Sequence, residues 1–225
     1  MKRIRLQAAI LSLILVFFAL GMQNVRGASL TFDEGPHLAV GYATLKSGDF
    51  RLQPIHIHPP LANYLSAIPL LLQNDLPDPT QIDGWESNSL SAVTDTLVWR
   101  YPNPATIATA ARTPILLLGV LLAALTFRWA DALGGLCTGL FSLFLLALDP
   151  NMIAHSSLVT TDLAVTFFVT ASLYLANRFL FLSEETSNQF LNIILCGACV
   201  GLAMLSKVSA ILLIPVISIL VVYHE

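Results

Sequence analysis

The sequence predicts an all-α integral membrane protein: a polytopic helical bundle with about six spans and short amphipathic helices in its first outer loop. Three observations lead there. The chain has 225 residues, of which 56% are hydrophobic and 11% charged, whereas average soluble domains carry about 25% charge. Its mean hydropathy is +0.74. Apolar runs recur along it, several of them close to the ~20 residues a helix needs to cross the hydrocarbon core. The net charge is −3 and no long basic run is present, so no nucleic-acid partner is expected.

The first span covers residues 4–22, behind Lys2, Arg3 and Arg5. Basic residues at that end keep the N-terminus in the cytoplasm. The run could also be a signal peptide cleaved near Val25-Arg26-Gly27, but the polytopic remainder favours an uncleaved span. Residues 23–104 then form an outer loop. Within it, Pro36 to Arg51 reads as a short helix, because Leu38, Tyr42 and Leu45 recur at helical spacing and Gly48 can end it. Leu61 to Leu72 is apolar but too short to span, so an interfacial or re-entrant helix is expected. Asn74 to Asn103 is polar and broken by Pro77, Pro79, Gly84 and Pro102 into loop. Five further spans follow at 108–127, 135–149, 158–177, 190–206 and 208–223, with a polar loop over 183–188.

Threading these spans places Arg128 and Arg178 inside, as the positive-inside rule requires. Lys207 falls outside, against the rule. It shares that side with Asp33, Glu34, His58, Arg112, Asp149, His155 and Asp162. A lone lysine between two apolar runs can simply snorkel to headgroups; beside this many polar groups it reads as a functional cation. Asp33 and Glu34 follow the first span directly, and carboxylates at a bilayer are costly unless they serve a cavity or an interface.

Other signals carry less. Cys137, Cys196 and Cys199 all lie in apolar runs, and Cys196-Gly-Ala-Cys199 lacks the βαβ surroundings of a redox motif. Gly135 to Gly139 and Gly197 to Gly201 are small-residue pairs that let helices approach in lipid. Asp33, Glu34, His37, His56 and His58 could in principle hold a metal. Their spacing matches no standard site, and His56 and His58 would point to opposite sides of an extended chain. No metal and no cofactor is expected.

One ordered set of segments is more specific. Asp33-Glu34, His58-Pro59-Pro60-Leu61-Ala62, Ala111-Arg112-Thr113-Pro114, Leu158-Val159-Thr160-Thr161-Asp162 and Gly201-Leu202-Ala203-Met204-Leu205-Ser206-Lys207 resemble the amino-terminal half of the lipid-carrier-dependent glycosyltransferases. That family includes the protein O-mannosyltransferases and the aminoarabinose transferases of lipid A. The resemblance spans nearly the whole chain. It implies a GT-C-type bundle and a sugar donor carried on a polyprenyl phosphate. The acceptor it implies is a protein, lipid or glycan. It assigns Asp33 as the catalytic base and Glu34 as its partner. His58, Arg112 and Lys207 are assigned to the donor phosphate, and Asp162 to substrate. The implied location is the plasma (inner) membrane, with the active site facing outside. The family continues with further spans beyond the equivalent of Tyr223, so this chain alone is expected to have little transferase activity.

The chemistry suits these residue types. A sugar leaving a lipid phosphate builds negative charge that Arg or Lys can stabilise, and the attacking hydroxyl needs a general base. Attack opposite the leaving group inverts the anomeric centre. A retaining path needs carboxylates on both faces of one bond, which two neighbours in sequence do not readily supply. A small polytopic transporter, or a non-catalytic membrane subunit that keeps the fold, are the rival readings. Against the transporter, no inverted repeat of that kind is visible and the outer loop of about 80 residues is unusual; sugar transfer from a polyprenyl-phosphate donor separates the enzyme from both.

The threading predicts that single cysteines placed near Asp33, His58, Asp162 and Lys207, after replacement of the native three, all react with a membrane-impermeant reagent from outside. Labelling of the Asp33 and Lys207 positions from opposite faces would refute the arrangement.

Overall fold

The computed structural model describes residues 2–54, 58–182 and 186–224. His56, one of the candidate metal ligands, lies outside the described residues, as do positions 183–185 of the expected polar loop. The described residues form helices joined by turns and loops, with no strand among them.

Helix α1 (Lys2–Gly27) is an apolar rod that leads directly into the acid-bearing turn at Asp33. Helix α2 (Glu34–Ser47) carries Leu38 and Tyr42 on its buried side. It stops at Gly48, whose φ of 74° is left-handed and whose N–H donates to the Thr44 carbonyl, an ending that glycine favours because it has no Cβ to clash. Helix α3 (Leu61–Ala67) continues as a 3₁₀ turn through Leu72. It lies against α2 and the fifth helix rather than alone in an interface. Gly41 of α2 makes that approach feasible, since a Cβ there would sit 2.2 Å from the Asn63 carbonyl oxygen.

The stretch expected as plain loop contains a further helix. Helix α4 (Leu90–Thr94) starts at Ser89, whose hydroxyl accepts from the Ala92 N–H, and runs on as a π-type turn over Asp95–Trp99. Val93, Leu97 and Val98 are fully buried. Together with Leu38, Tyr42, Leu70, Ile107 and Val159 they make the core of the outer segment. That burial decides the local structure, because a helix of this length is unstable on its own in water.

Helix α5 (Pro104–Gly134) begins on Pro104, where the missing N–H costs nothing, and has 31 residues. Helix α6 (Leu136–Leu148) has 13, short of the ~20 needed to cross alone. Helix α7 (Pro150–His155) follows, capped by the Asp149 carboxylate accepting from the Met152 N–H. Helix α8 (Thr161–Asn177), helix α9 (Thr186–Ser206) and helix α10 (Leu213–His224) complete the bundle, α10 entered through a 3₁₀ turn over Val208–Leu212. Four helical stretches are long and apolar enough to span a membrane: Ile4–Gly27, Pro104–Gly134, Thr161–Phe181 and Gln189–Ser206. The chain is an integral membrane protein. Outward-facing Phe141, Leu145, Ile194, Leu205 and Ile219 are exposed in the bundle, as a lipid-facing surface requires.

Helices α1, α5 and α6 pack together, as do α8 and α9, with α5 also meeting α8. The two small-residue pairs behave differently. At Gly139 a Cβ would stand 3.0 Å from the Phe127 carbonyl oxygen of α5, so glycine permits that contact. At Gly197 and Gly201 a Cβ would meet nothing within 4 Å among the described residues, so no close approach there calls for glycine.

Candidate functional site

Glu34 is the first residue of α2, and Asp33 precedes it as the N-cap. Successive helical side chains diverge by about 100°, the consequence of 3.6 residues per turn. One of two adjacent acids therefore faces in and the other out. Glu34 faces in and is fully buried, as is Arg112 on α5. The Arg112 Nε–H donates to Glu34 Oε1 and Nη2 to Oε2, both at 2.7 Å, a two-pronged contact. The remaining Arg112 donors go to main-chain carbonyls: Nη1 to Val25 and Ala28 at 3.2 and 2.7 Å, and Nη2 to Ser29 at 2.8 Å. All five guanidinium hydrogens are thereby used.

Glu34 is equally saturated. Its Oε2 accepts from the Thr31 N–H and hydroxyl, and its Oε1 accepts from the Val159 N–H at 3.0 Å. Burial pushes this carboxyl up, but the Arg112 guanidinium and the Thr31 and Val159 amides outweigh that and hold it below its ordinary range. The expectation that Arg112 meets a donor phosphate does not fit this arrangement, because it has no donor left and no exposure. Glu34 likewise cannot take a proton without breaking the pair. Both hold the site in place.

Asp33 faces out, into a cleft of about 340 Å³ lined also by Pro36, His37, His58, Asn63, Asp162 and Lys207. Its carboxylate is exposed and has no hydrogen-bond partner among the described residues. At the opposite element, Lys207 Nζ donates to Asp162 Oδ1 at 2.7 Å, with both side chains nearly half exposed. Lys207 sits in the break between α9 and the turn at Val208, and Asp162 in the first turn of α8. The fold therefore brings Asp33, His58, Asp162 and Lys207 to one cleft and leaves Glu34 and Arg112 beneath it.

A polar chain that sequence reasoning passed over supports the His58 side. His37 Nδ1 lies 2.8 Å from Asn63 Oδ1, the Asn63 amide donates to Gln53 Oε1 at 3.4 Å, and the Gln53 amide donates to the His58 carbonyl at 2.7 Å. Facing an amide oxygen, Nδ1 is the protonated nitrogen of His37. Burial pushes the His37 imidazole down, and the nearby His58 adds to this against the raising pull of Asn63, Asp33 and Asp162. The two imidazoles meet edge to face with centroids 5.0 Å apart. The signal for this network was present in Gln53 and Asn63, polar residues flanking a Pro-rich loop. As to a metal, no cluster of three or more His, Cys, Asp or Glu side chains placed to hold one is present among the described residues, and Glu34 is engaged by Arg112.

A family model described as dolichyl-phosphate-mannose-protein mannosyltransferase matches residues 100–224, more than half of the chain. No curated protein and no solved structure matches. The matched stretch includes Arg112, Asp162 and Lys207; Asp33, Glu34 and His58 precede it.

Breaking a buried ion pair by removing one partner typically costs about 3–5 kcal/mol. Glu34→Gln and Arg112→Lys should each lower the melting temperature in detergent markedly, the lysine because it cannot replace five planar donors. The folded Glu34 carboxyl lies below its unfolded value, so its contribution is complete above the ordinary carboxylate range and fades as pH falls through the lower folded value. The melting temperature of the native chain should drop on acidification in that window, and the drop should be smaller in Glu34→Gln. Equal acid sensitivity in both would refute the role given to this pair.

Proposed function

We propose, from the premise that the chain belongs to the dolichyl-phosphate-mannose-protein mannosyltransferase family, that its cleft transfers a sugar from a polyprenyl-phosphate donor to an acceptor hydroxyl on the extracytoplasmic face, with inversion. The observation that carries this reading is one cleft holding an unpaired carboxylate, Asp33, together with a cation, Lys207. Both are groups the reaction needs.

In this reading the acceptor hydroxyl stands beside Asp33. Its oxygen attacks the anomeric carbon, its proton passes to the Asp33 carboxylate, and the bond from that carbon to the phosphate oxygen breaks. The electron pair leaves with the polyprenyl phosphate. Lys207 offsets the charge that grows there, in a site partly shielded from water where such a contact counts for more. Asp162 holds the ammonium in position while the cleft is empty. His58 lines the same cleft and supplies a ring N–H toward the donor. Glu34 and Arg112 act as positioning residues, since they fix the turn that carries Asp33 and the loop before α8. No cofactor enters this scheme.

Asp33→Asn preserves shape but cannot accept the proton. Removing a general base costs on the order of 10² to 10⁴ in rate, so turnover should fall by that factor with donor KM little changed. Lys207→Gln should raise donor KM as its leading effect. Initial rates against donor concentration, in membranes holding the full protein, separate the two. Near-normal turnover by Asp33→Asn would end the case for this aspartate as base.

A further inference from the structure

The end of the bundle away from the Asp33 cleft gathers two arginines on one tyrosine. Arg128 lies about 24 Å along α5 from Arg112, at ~1.5 Å of rise per residue. Tyr174 stands near the end of α8 and is 8% exposed. Its hydroxyl accepts from the Arg128 Nε–H at 3.0 Å. Arg178 opens the turn that prolongs α8 over Arg178–Leu182, and its guanidinium lies 5.9 Å from the centroid of the same ring. Trp129 meets that ring edge to face, with centroids 6.1 Å apart. One buried aromatic thus holds a cation from α5 beside a cation from its own helix. Neither cation is neutralised. Among the described residues no carboxylate stands within ion-pair distance of Arg128 or Arg178, Asp131 included. Within those residues Arg128 commits only its Nε–H and Arg178 donates no hydrogen bond, whereas Arg112 commits every donor it has. Two guanidiniums held on one ring repel each other, and a ring quadrupole attracts cations without cancelling their charge. An anion beside both would cancel it. The Tyr174 O–H has no acceptor among the described residues either, and would add a third donor.

We propose that Arg128, Arg178 and Tyr174 bind the phosphate headgroup of an anionic phospholipid, in the leaflet opposite the Asp33 cleft. The inference does not depend on the glycosyl-transfer reading, and the three residues line no part of that cleft. The setting selects a lipid over a soluble anion. Both arginines belong to helical stretches long and apolar enough to span a membrane, Pro104–Gly134 and Thr161–Phe181. Apolar side chains stand open just past each of them, Leu133 at 63% exposure and Phe181 at 50%. A free phosphate would leave that surface bare, whereas the acyl chains of a phospholipid cover it. Threading of the spans makes this leaflet the cytoplasmic one, where anionic lipids draw basic residues to the membrane surface. The bound headgroup ties α5 to α8 at the end far from the Glu34–Arg112 contact.

The test takes the purified full chain in an uncharged detergent. Native mass spectrometry counts what binds during titration with phosphatidylglycerol, phosphatidylcholine or glycerol phosphate. A basic residue near an anionic headgroup contributes about fivefold in affinity. Phosphatidylglycerol should therefore bind about 25-fold more tightly than phosphatidylcholine, and glycerol phosphate far more weakly than either lipid. Arg128→Gln and Arg178→Gln should each lower the preference about fivefold, and the double variant should abolish it. Photo-crosslinking of the native chain supplies a second readout that no effect of substitution on folding can disturb. Phosphatidylglycerol with a diazirine at the head of one acyl chain should label residues 128–136 or 174–182 more heavily than the matched phosphatidylcholine does. Equal binding of the two lipids overturns the inference, as does labelling in those segments that is the same for both. A preference that survives the double variant also overturns it, since attraction to Lys2, Arg3 and Arg5 would then account for it. Glycerol phosphate binding as tightly as phosphatidylglycerol would show a site for a free phosphate and refute the lipid.

Discussion

The buried contact between Glu34 and Arg112 is the constraint on which the rest depends. A guanidinium and a carboxylate with no exposure are tolerable only if every donor and acceptor is satisfied. Here the completing groups come from four separate pieces of chain. Carbonyls of Val25, Ala28 and Ser29 come from the end of α1 and the strand of chain after it. Glu34 and Thr31 come from the entrance to α2, Arg112 from α5, and the Val159 N–H from the approach to α8. One pair thus locks the first span, the outer helix, the second long span and the loop leading to Asp162. Loss of either partner would release all four together. Desolvation offsets part of the pair's Coulombic gain, while its hydrogen bonds fix how these segments meet.

Geometry of that kind is what the cleft requires. Asp33 is adjacent to the locked residue and points the other way, so its position is inherited from a rigid neighbour while its carboxylate stays accessible. Asp162 lies three residues beyond Val159, and Lys207 reaches Asp162 from α9. The cation is therefore registered against the carboxylate through a short path: Asp33, Glu34, Val159, Asp162, Lys207. The His37–Asn63–Gln53–His58 chain performs the same service on the third side. Burial of His37 pushes its imidazole down, which disfavours a further positive charge beside this chain of hydrogen bonds.

Much of this was legible in the sequence, and the rest was hidden for physical reasons. Hydropathy located the long helices because lipid imposes a length and a composition on them. Gly48 as the end of α2 followed from its backbone freedom. The helix over Leu90–Trp99 was missed because proline and glycine around it read as loop, and its stability comes from tertiary burial of Val93, Leu97 and Val98. The apolar run expected over 135–149 forms α6 over Leu136–Leu148, and a run ending at Asp149-Pro150 looks the same in sequence whether or not it crosses. The resemblance assigns Arg112 to the donor phosphate, and nothing in the local sequence shows what its guanidinium meets. The partner was an internal carboxylate. A sequence reader could have asked which acid would neutralise a cation two residues before Pro114 inside a span; of the adjacent acids after the first span, only one can face inward. That would have assigned Glu34 to Arg112 and left Asp33 to face the cleft.

The two carboxylate–cation pairs then differ in a way that matters for a transferase. In Glu34–Arg112 the charges are buried and every hydrogen is committed, so the pair cannot respond to a ligand without local unfolding. In Asp162–Lys207 both side chains are nearly half exposed and share a single contact. An exposed pair of that kind is worth little on its own, so an incoming phosphate can share or take the ammonium at small cost. The same two chemical types therefore differ through burial: one pair is committed to the framework while the other stays accessible to solvent. In the transfer proposed above, the exchangeable pair in the cleft would meet the charged lipid headgroup while the committed pair beneath it holds the framework.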